Sequence, residues 1–176
     1  MTKTQIPPLH LACGKDDLRP SLQQVYFKDG YAYASDGHIL VKTSLEYFGF
    51  HNVKKLDGKA IHCKQFEQIV KSKVIVIAGD DCIAVKSDNG TATFNYASED
   101  IKAPIFENVI PTKETESISN IGINAKVLQT ALKCFITDRY DFKFSFYGNL
   151  SPILITEDSG DYDDQLILIM PIILKD

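Results

Sequence analysis

The sequence predicts an α+β fold in which two helices pack on antiparallel sheets. Short segments rich in β-branched and aromatic residues recur along the chain with Gly, Asp and Asn between them, which is typical of strands joined by tight turns. Two other segments carry apolar residues at helical spacing. Each helical segment is preceded by one strand and followed by three, so a βαβββ unit is predicted twice, at about 58–97 and 118–174.

A hairpin precedes both units. Two predicted strands, at 24–27 and 31–34, flank the sequence KDG at 28–30. The Asp-Gly pair accepts the positive φ of a tight turn. A short apolar piece lies at 9–13. The remaining strands are expected at 39–42, 59–62, 74–78, 82–86, 91–96, 119–123, 142–146, 152–156 and 165–173.

The two predicted helices are amphipathic. The first, at 64–71, carries Phe66, Ile69 and Val70 on one face, and the second, at 125–135, begins after Asn124, a favourable N-cap residue. The apolar face of the second helix consists of Val127, Leu128, Ala131 and Leu132. Both helices are therefore expected to pack one side against a sheet.

Composition excludes several classes of protein. At 176 residues and 44% apolar content, the chain can bury a substantial core. Its most apolar run, at 166–174, is too short to cross a bilayer, so we expect a cytoplasmic protein with no membrane partner. The cysteines at 13, 63, 82 and 134 form no CxxC pair, which favours free thiols over a zinc site or disulfides.

No group of residues has the pattern of a catalytic or metal site. His38 lies in the sequence SDGH, where adjacent residues do not converge as a catalytic triad does. The acidic cluster at 157–164 lacks the ligand order of an EF-hand and is expected to be a solvated loop. We therefore predict a binding module, with no enzymatic activity, cofactor or metal.

The exposed sides of both helices carry lysine and glutamine at helical spacing. These residues are Lys64, Gln68 and Lys71 on the first helix, and Lys126, Gln129 (or Thr130) and Lys133 on the second. Such side chains can contact the phosphates of double-stranded DNA without distinguishing its bases. An ordinary solvated helix face is the competing explanation.

Four segments carry a resemblance to one protein family. They are LRPSLQQVYFKDGYAYASDGHIL (18–40), APIFENVIP (103–111), IGINAKVLQTALKC (121–134) and LILIMPIIL (166–174). In this order they resemble segments of bacterial DNA polymerase III β sliding clamps, whose middle domain has an A-T-D-G-H-R-L pattern similar to ASDGHIL. The resemblance implies a DNA-clamp-like fold and a role as a DNA replication accessory protein, like a processivity factor.

The resemblance also implies a domain organisation. Residues 1–111 resemble the middle clamp domain with its first helix truncated, and residues 112–176 resemble the closing half of the last clamp domain; we expect them to form one compact unit. The family's helices line a ring around DNA, which would direct the two lysine-bearing faces towards a duplex. A homo-oligomer is a further implication.

Clamps of this family receive short peptide motifs in a hydrophobic pocket. The positions that match this pocket are Leu22, Ser35, Gly37, His38, Ile39, Leu40, Pro104, Asn108, Val109, Leu168, Met170, Pro171 and Ile172. Ile39 and Asn108 stand where the family has arginine, so binding should depend more on apolar burial. The implied partners are a DNA polymerase, a clamp loader or repair proteins, and the alternative is a phage-type or mobile-element decoy that binds these partners without encircling DNA.

Overall fold

Ten strands and two α-helices form within residues 6–72, 74–88, 90–111, 120–135, 141–157 and 165–174, the parts that the computed structural model describes. The helices are α1 (Cys63–Ser72) and α2 (Ala125–Lys133). The strands are β1 (Gln24–Lys28), β2 (Tyr31–Ser35), β3 (Ile39–Ser44), β4 (Ala60–His62), β5 (Ile75–Ala78), β6 (Cys82–Ser87), β7 (Gly90–Asn95), β8 (Phe142–Ser145), β9 (Ile153–Glu157) and β10 (Gln165–Ile169).

The strands form two antiparallel sheets. Seven of them pair in the order β4-β1-β2-β3-β10-β9-β8, and β5, β6 and β7 form a separate three-stranded sheet. Pairing of β3 with β10, which places Leu40 opposite Leu168, joins the early strands to the late ones. The predicted α+β class, with helices packed on antiparallel sheets, is confirmed.

Alternation along the strands gives the seven-stranded sheet two apolar faces. One face carries Phe27, Val41 and Ile167 and belongs to the main core, which includes Phe66 of α1 and Ala131 of α2. The other face is covered by the segment after β7. Its buried residues are Tyr26, Tyr33, Leu40, Phe106, Leu154, Leu166 and Leu168. Because neighbouring residues of a strand point to opposite faces, a single register fixes both clusters.

Local sequence explains where these elements turn and begin. Asp29 and Gly30 have φ of 51° and 81°, the positive values that the β1–β2 hairpin requires. The Asn124 side chain accepts hydrogen bonds from the backbone N–H groups of Lys126 and Val127, so it caps α2 as predicted. Both helices contact the 3-10 helix Leu9–Ala12, which occupies the short apolar piece at 9–13.

Several predicted boundaries differ from the structure. The strand expected at 119–123 is reduced to one bridge between Gly122 and Ile172, with Ser119 outside the described residues. Strand β10 ends at Ile169 rather than at 173, because Pro171 has no N–H to continue a ladder. Helix α2 ends at Lys133, two residues early.

The two βαβββ units do not form two equivalent sheets. In the first unit, β4 pairs with β1 at the edge of the large sheet, whereas β5–β7 form a sheet of their own, with one bridge from β5 to His51. The acidic loop expected at 157–164 lies beyond the described residues after Glu157. None of the helices in the described ranges is long and apolar enough to cross a membrane.

Candidate functional site

An apolar groove lies where strands β3 and β10 meet the segment that follows β7. The groove has a volume of about 150 Å³. Leu40 and Leu168, which are opposite each other in the β3–β10 ladder, are buried beneath it. The lining residues are Leu22, Ser35, Gly37, His38, Ile39, Leu40, Pro104, Ile105, Phe106, Val109, Pro152, Leu168 and Met170.

One end of the groove is a tight turn between β2 and β3. The Asp36 carboxylate accepts hydrogen bonds from the amides of His38 (2.7 Å) and Ile39 (2.8 Å). The Ser35 hydroxyl donates to the carbonyl of Ile39 (2.7 Å), and Gly37 adopts a φ of 93°. These bonds hold the exposed His38 side chain at the groove, and they account for the sequence SDGH as a turn.

The residues after β10 form a second border. The Met170 amide donates to the His38 carbonyl (2.9 Å), and the Ile172 amide donates to the Gly122 carbonyl (2.9 Å). A Cβ atom on Gly122 would lie 2.6 Å from Ile172 Cγ1 and 2.7 Å from Leu174 Cδ2, so any larger residue here would displace these side chains. Met170 is thus fixed beside the turn with 39% of its surface exposed.

The segment that follows β7, residues 96–111, supplies the opposite wall and is called the connecting segment below. Phe106 is buried; its ring stacks on Tyr33 with centroids 5.1 Å apart and lies tilted against Tyr26 with centroids 5.6 Å apart. Burial, with the Glu107 carboxylate nearby, raises the pKa of Tyr33 to about 12. Lys28 forms an ion pair with Glu107 at 3.5 Å. The segment is therefore anchored to the sheet, and it presents Ile105 and Val109, both largely exposed, to the groove.

The structure brings most of the predicted pocket positions together. Ten of them line the groove: Leu22, Ser35, Gly37, His38, Ile39, Leu40, Pro104, Val109, Leu168 and Met170. Asn108, Pro171 and Ile172 do not. Ile172 is turned towards Gly122 by the backbone hydrogen bond described above, and Asn108 lies exposed in the 3-10 helix Phe106–Val109.

Three lining residues were not predicted. Ile105 and Phe106 lie inside the segment APIFENVIP, and their apolar side chains between matched positions were the available signal. Pro152 precedes β9, and nothing in its local sequence marks it.

The six lysine and glutamine side chains predicted for the outer helix faces are exposed, as their spacing predicts. All six of Lys64, Gln68, Lys71, Lys126, Gln129 and Lys133 are exposed. Of the two alternatives for the middle position on α2, Gln129 is exposed and Thr130 is half-buried. The Thr130 hydroxyl donates to the Lys126 carbonyl (2.9 Å), so it is already engaged within the helix. Lys71 pairs with Glu67 at 2.6 Å. Both helices lie on the same face of the large sheet.

The four cysteines are free thiols with different surroundings. A hydrogen bond from the Cys13 thiol, together with the Lys64 amide at the start of α1, lowers the pKa of Cys63 to about 7. Burial raises the pKa of Cys134 to about 12. In the described ranges, no three His, Cys, Asp or Glu side chains are grouped as metal ligands.

A larger cavity, of about 530 Å³, shares no lining residue with the groove. It is bordered by Tyr26 and by residues 58–60, 80–81, 96–99 and 101–103, including Lys59, Asp80 and Glu99. Asp80 is held by Lys55 at 2.8 Å. None of the predicted site residues lines this cavity, so the smaller, apolar groove is the candidate site.

Comparison with known proteins identifies the fold. No family model matches the sequence, and no curated protein matches it. Solved structures do match. The sliding clamp of Bartonella birtlesii, bound to griselimycin, superposes with a TM-score of 0.68 at 15% identity, over 98% of this chain and 63% of that chain.

Clamps from other bacteria give similar values. The DNA polymerase sliding clamp of Pseudomonas aeruginosa matches with a TM-score of 0.65 at 15% identity, over 98% of this chain and 65% of its own. The clamp of Bacillus subtilis matches with a TM-score of 0.64 at 14% identity, over 97% and 64%. The chain therefore has the fold of bacterial DNA polymerase sliding clamps and spans less than two thirds of their length.

Proposed function

We propose that the chain is a non-enzymatic, clamp-like docking protein that receives an extended apolar peptide in the groove. The observation that carries this proposal is the convergence of Leu22, the turn at 35–39, the segment at 104–109 and Met170 on one exposed apolar depression. Residues that only packed the sheet would be sealed, whereas Val109 and Met170 are 50% and 39% exposed.

The size and chemistry of the groove define the ligand. Its volume of about 150 Å³ is below the roughly 300–1,000 Å³ typical of drug-sized ligand sites, so it suits one or two anchor side chains of a longer segment. Leu40, Leu168 and the adaptable Met170 offer apolar contact. Leucine and phenylalanine anchors are therefore expected, carried by a DNA polymerase, clamp loader or repair protein.

Two of the similar clamps were solved with a bound small molecule. The clamp of Bartonella birtlesii was solved bound to griselimycin, and one Pseudomonas aeruginosa clamp was solved with a ligand. For this chain, the bound molecules of those clamps support the proposal that it too has a ligand-binding surface.

Fluorescence anisotropy with a labelled QLxLF-type peptide tests the proposal. Saturable binding is expected, and Met170→Ala should weaken it at least about fivefold, since truncating a hot-spot side chain at the centre of an interface costs over 1 kcal/mol. Ile75→Ala is the matched control, because Ile75 is an exposed apolar residue on β5, in the other sheet. Absence of saturable binding, or equal losses in both variants, would refute the proposal.

Contact with DNA is a second candidate function. It is favoured by the exposure of the six predicted lysine and glutamine side chains on α1 and α2, which pack on the same face of the sheet. Replacing Lys64, Lys71 and Lys133 by glutamine should then reduce the association with duplex DNA and flatten its dependence on salt. A phage-type decoy that binds clamp partners away from DNA would show no such association before or after the replacement.

A further inference from the structure

A second cavity adjoins the groove and shares part of its lining. The cavity has a volume of about 390 Å³. Leu22, His38 and Ile39 line both the cavity and the groove, so the two spaces meet along these side chains. A peptide whose anchors occupy the groove therefore has the cavity within reach of its flanking residues.

Three cationic side chains line this cavity: Lys15, Arg19 and Lys126. Among the described residues, neither lysine forms an ion pair. The Arg19 Nε donates to Asp16 at 3.1 Å, while its terminal nitrogens have no hydrogen-bond partner in the described part of the chain. One of them lies 3.8 Å from the position that a Cβ on Gly37 would take, so the guanidinium also borders the turn of the groove.

The two carboxylates of the cavity are already engaged by the protein. Asp16 pairs with Arg19. Asp36 accepts the amides of His38 and Ile39, which fix it within the turn. Three cationic side chains therefore face two carboxylates, which leaves the lining with one excess positive charge, although the whole chain has a net charge of −4. Negatively charged groups are the complementary ligands.

We propose that this cavity recognises acidic residues that flank the apolar anchors of the partner peptide. The inference rests on the proposed function of the groove and specifies the partner further. A peptide is favoured over a nucleic-acid backbone because the cavity continues into an apolar groove, which a chain of phosphates cannot fill. Carboxylates beside Leu or Phe anchors satisfy both surfaces together.

Anisotropy measurements with a set of related peptides test this inference. The anchor peptide is compared with versions that carry four glutamates, or four lysines, before or after the anchors. One glutamate version should bind about three- to tenfold more tightly than the anchor peptide at low salt, the range expected for a few exposed ion pairs. The gain should shrink in 0.5 M NaCl, because salt screens exposed charges. The corresponding lysine version should bind more weakly.

A double variant identifies the cavity. Lys15→Gln with Lys126→Gln should remove the gain from glutamates and leave the affinity for the anchor peptide unchanged. Lys133→Gln is the matched control, since Lys133 is exposed on the same helix as Lys126 but does not line the cavity. This control should retain the full gain.

The outcomes separate the two proposals. If the anchor peptide binds but glutamates add nothing, or the double variant keeps the gain, the inference is overturned and the groove function stands. If no peptide binds, the groove function itself fails. If the double variant loses duplex DNA but keeps the glutamate gain, the cavity is a phosphate site and the inference is again overturned.

Discussion

Phe106 should be the strongest single attachment between the connecting segment and the large sheet. Its ring is 5% exposed and contacts two aromatic rings, Tyr33 and Tyr26. Burial of a phenylalanine stabilises a fold by about 1.5–3 kcal/mol, and each aromatic pair adds about 0.5–1.5 kcal/mol. Phe106→Ala should therefore lower the free energy of unfolding by about 3–5 kcal/mol, the range found for such truncations in cores.

Urea unfolding followed by circular dichroism measures this loss. Phe106→Leu serves as the control, since it keeps most of the apolar volume but removes the ring stacking, and it should cost clearly less. Both variants should also weaken peptide binding, because Phe106 places Ile105 and Val109 at the groove. A loss below about 1 kcal/mol for Phe106→Ala would contradict the packing of the connecting segment described above.

Three further predictions follow from particular side chains. Iodoacetamide should alkylate Cys63 with half-maximal rate near pH 7, and Cys134 should stay unmodified at that pH, as mass spectrometry of peptides would show. Burial lowers the pKa of His10; the unfolded chain then binds more protons below about pH 6.5, so stability falls as pH drops from 7 to 5, and His10→Gln should reduce this slope in urea titrations. Asn124→Ala should cost about 1 kcal/mol through loss of the α2 cap, and an unchanged urea midpoint would contradict that role.

Local features of the sequence predicted local structure well. The Asp29-Gly30 pair indicated the β1–β2 hairpin, and Asn124 indicated the start of α2; both signals act within a few residues. Pairing between β3 and β10 depends on residues more than a hundred positions apart, and no periodicity reveals such contacts. Whether β5–β7 join the large sheet also depends on strands that are distant in the sequence. Their separation into a second sheet was therefore not predicted.

The groove was likewise predicted only in part, because some of its residues are placed by contacts between segments distant in the sequence. Its matched positions came from the resemblance of separate segments, and ten of them lie together. Phe106 was missed because its burial arises from Tyr26 and Tyr33 on the facing sheet, which its local sequence does not reveal. Met170 was expected inside a strand; instead it follows β10 and is fixed by the His38 carbonyl.

The chain contains two methionines, Met1 and Met170, which permits a direct test of the central claim. With ¹³C-methyl methionine, two signals are expected, and Met170→Leu assigns the one from the groove. Titration with the QLxLF-type peptide should shift the Met170 signal saturably, with the same dissociation constant that anisotropy gives. Peptide binding that leaves the Met170 signal unmoved would show that the ligand binds elsewhere and would contradict the account.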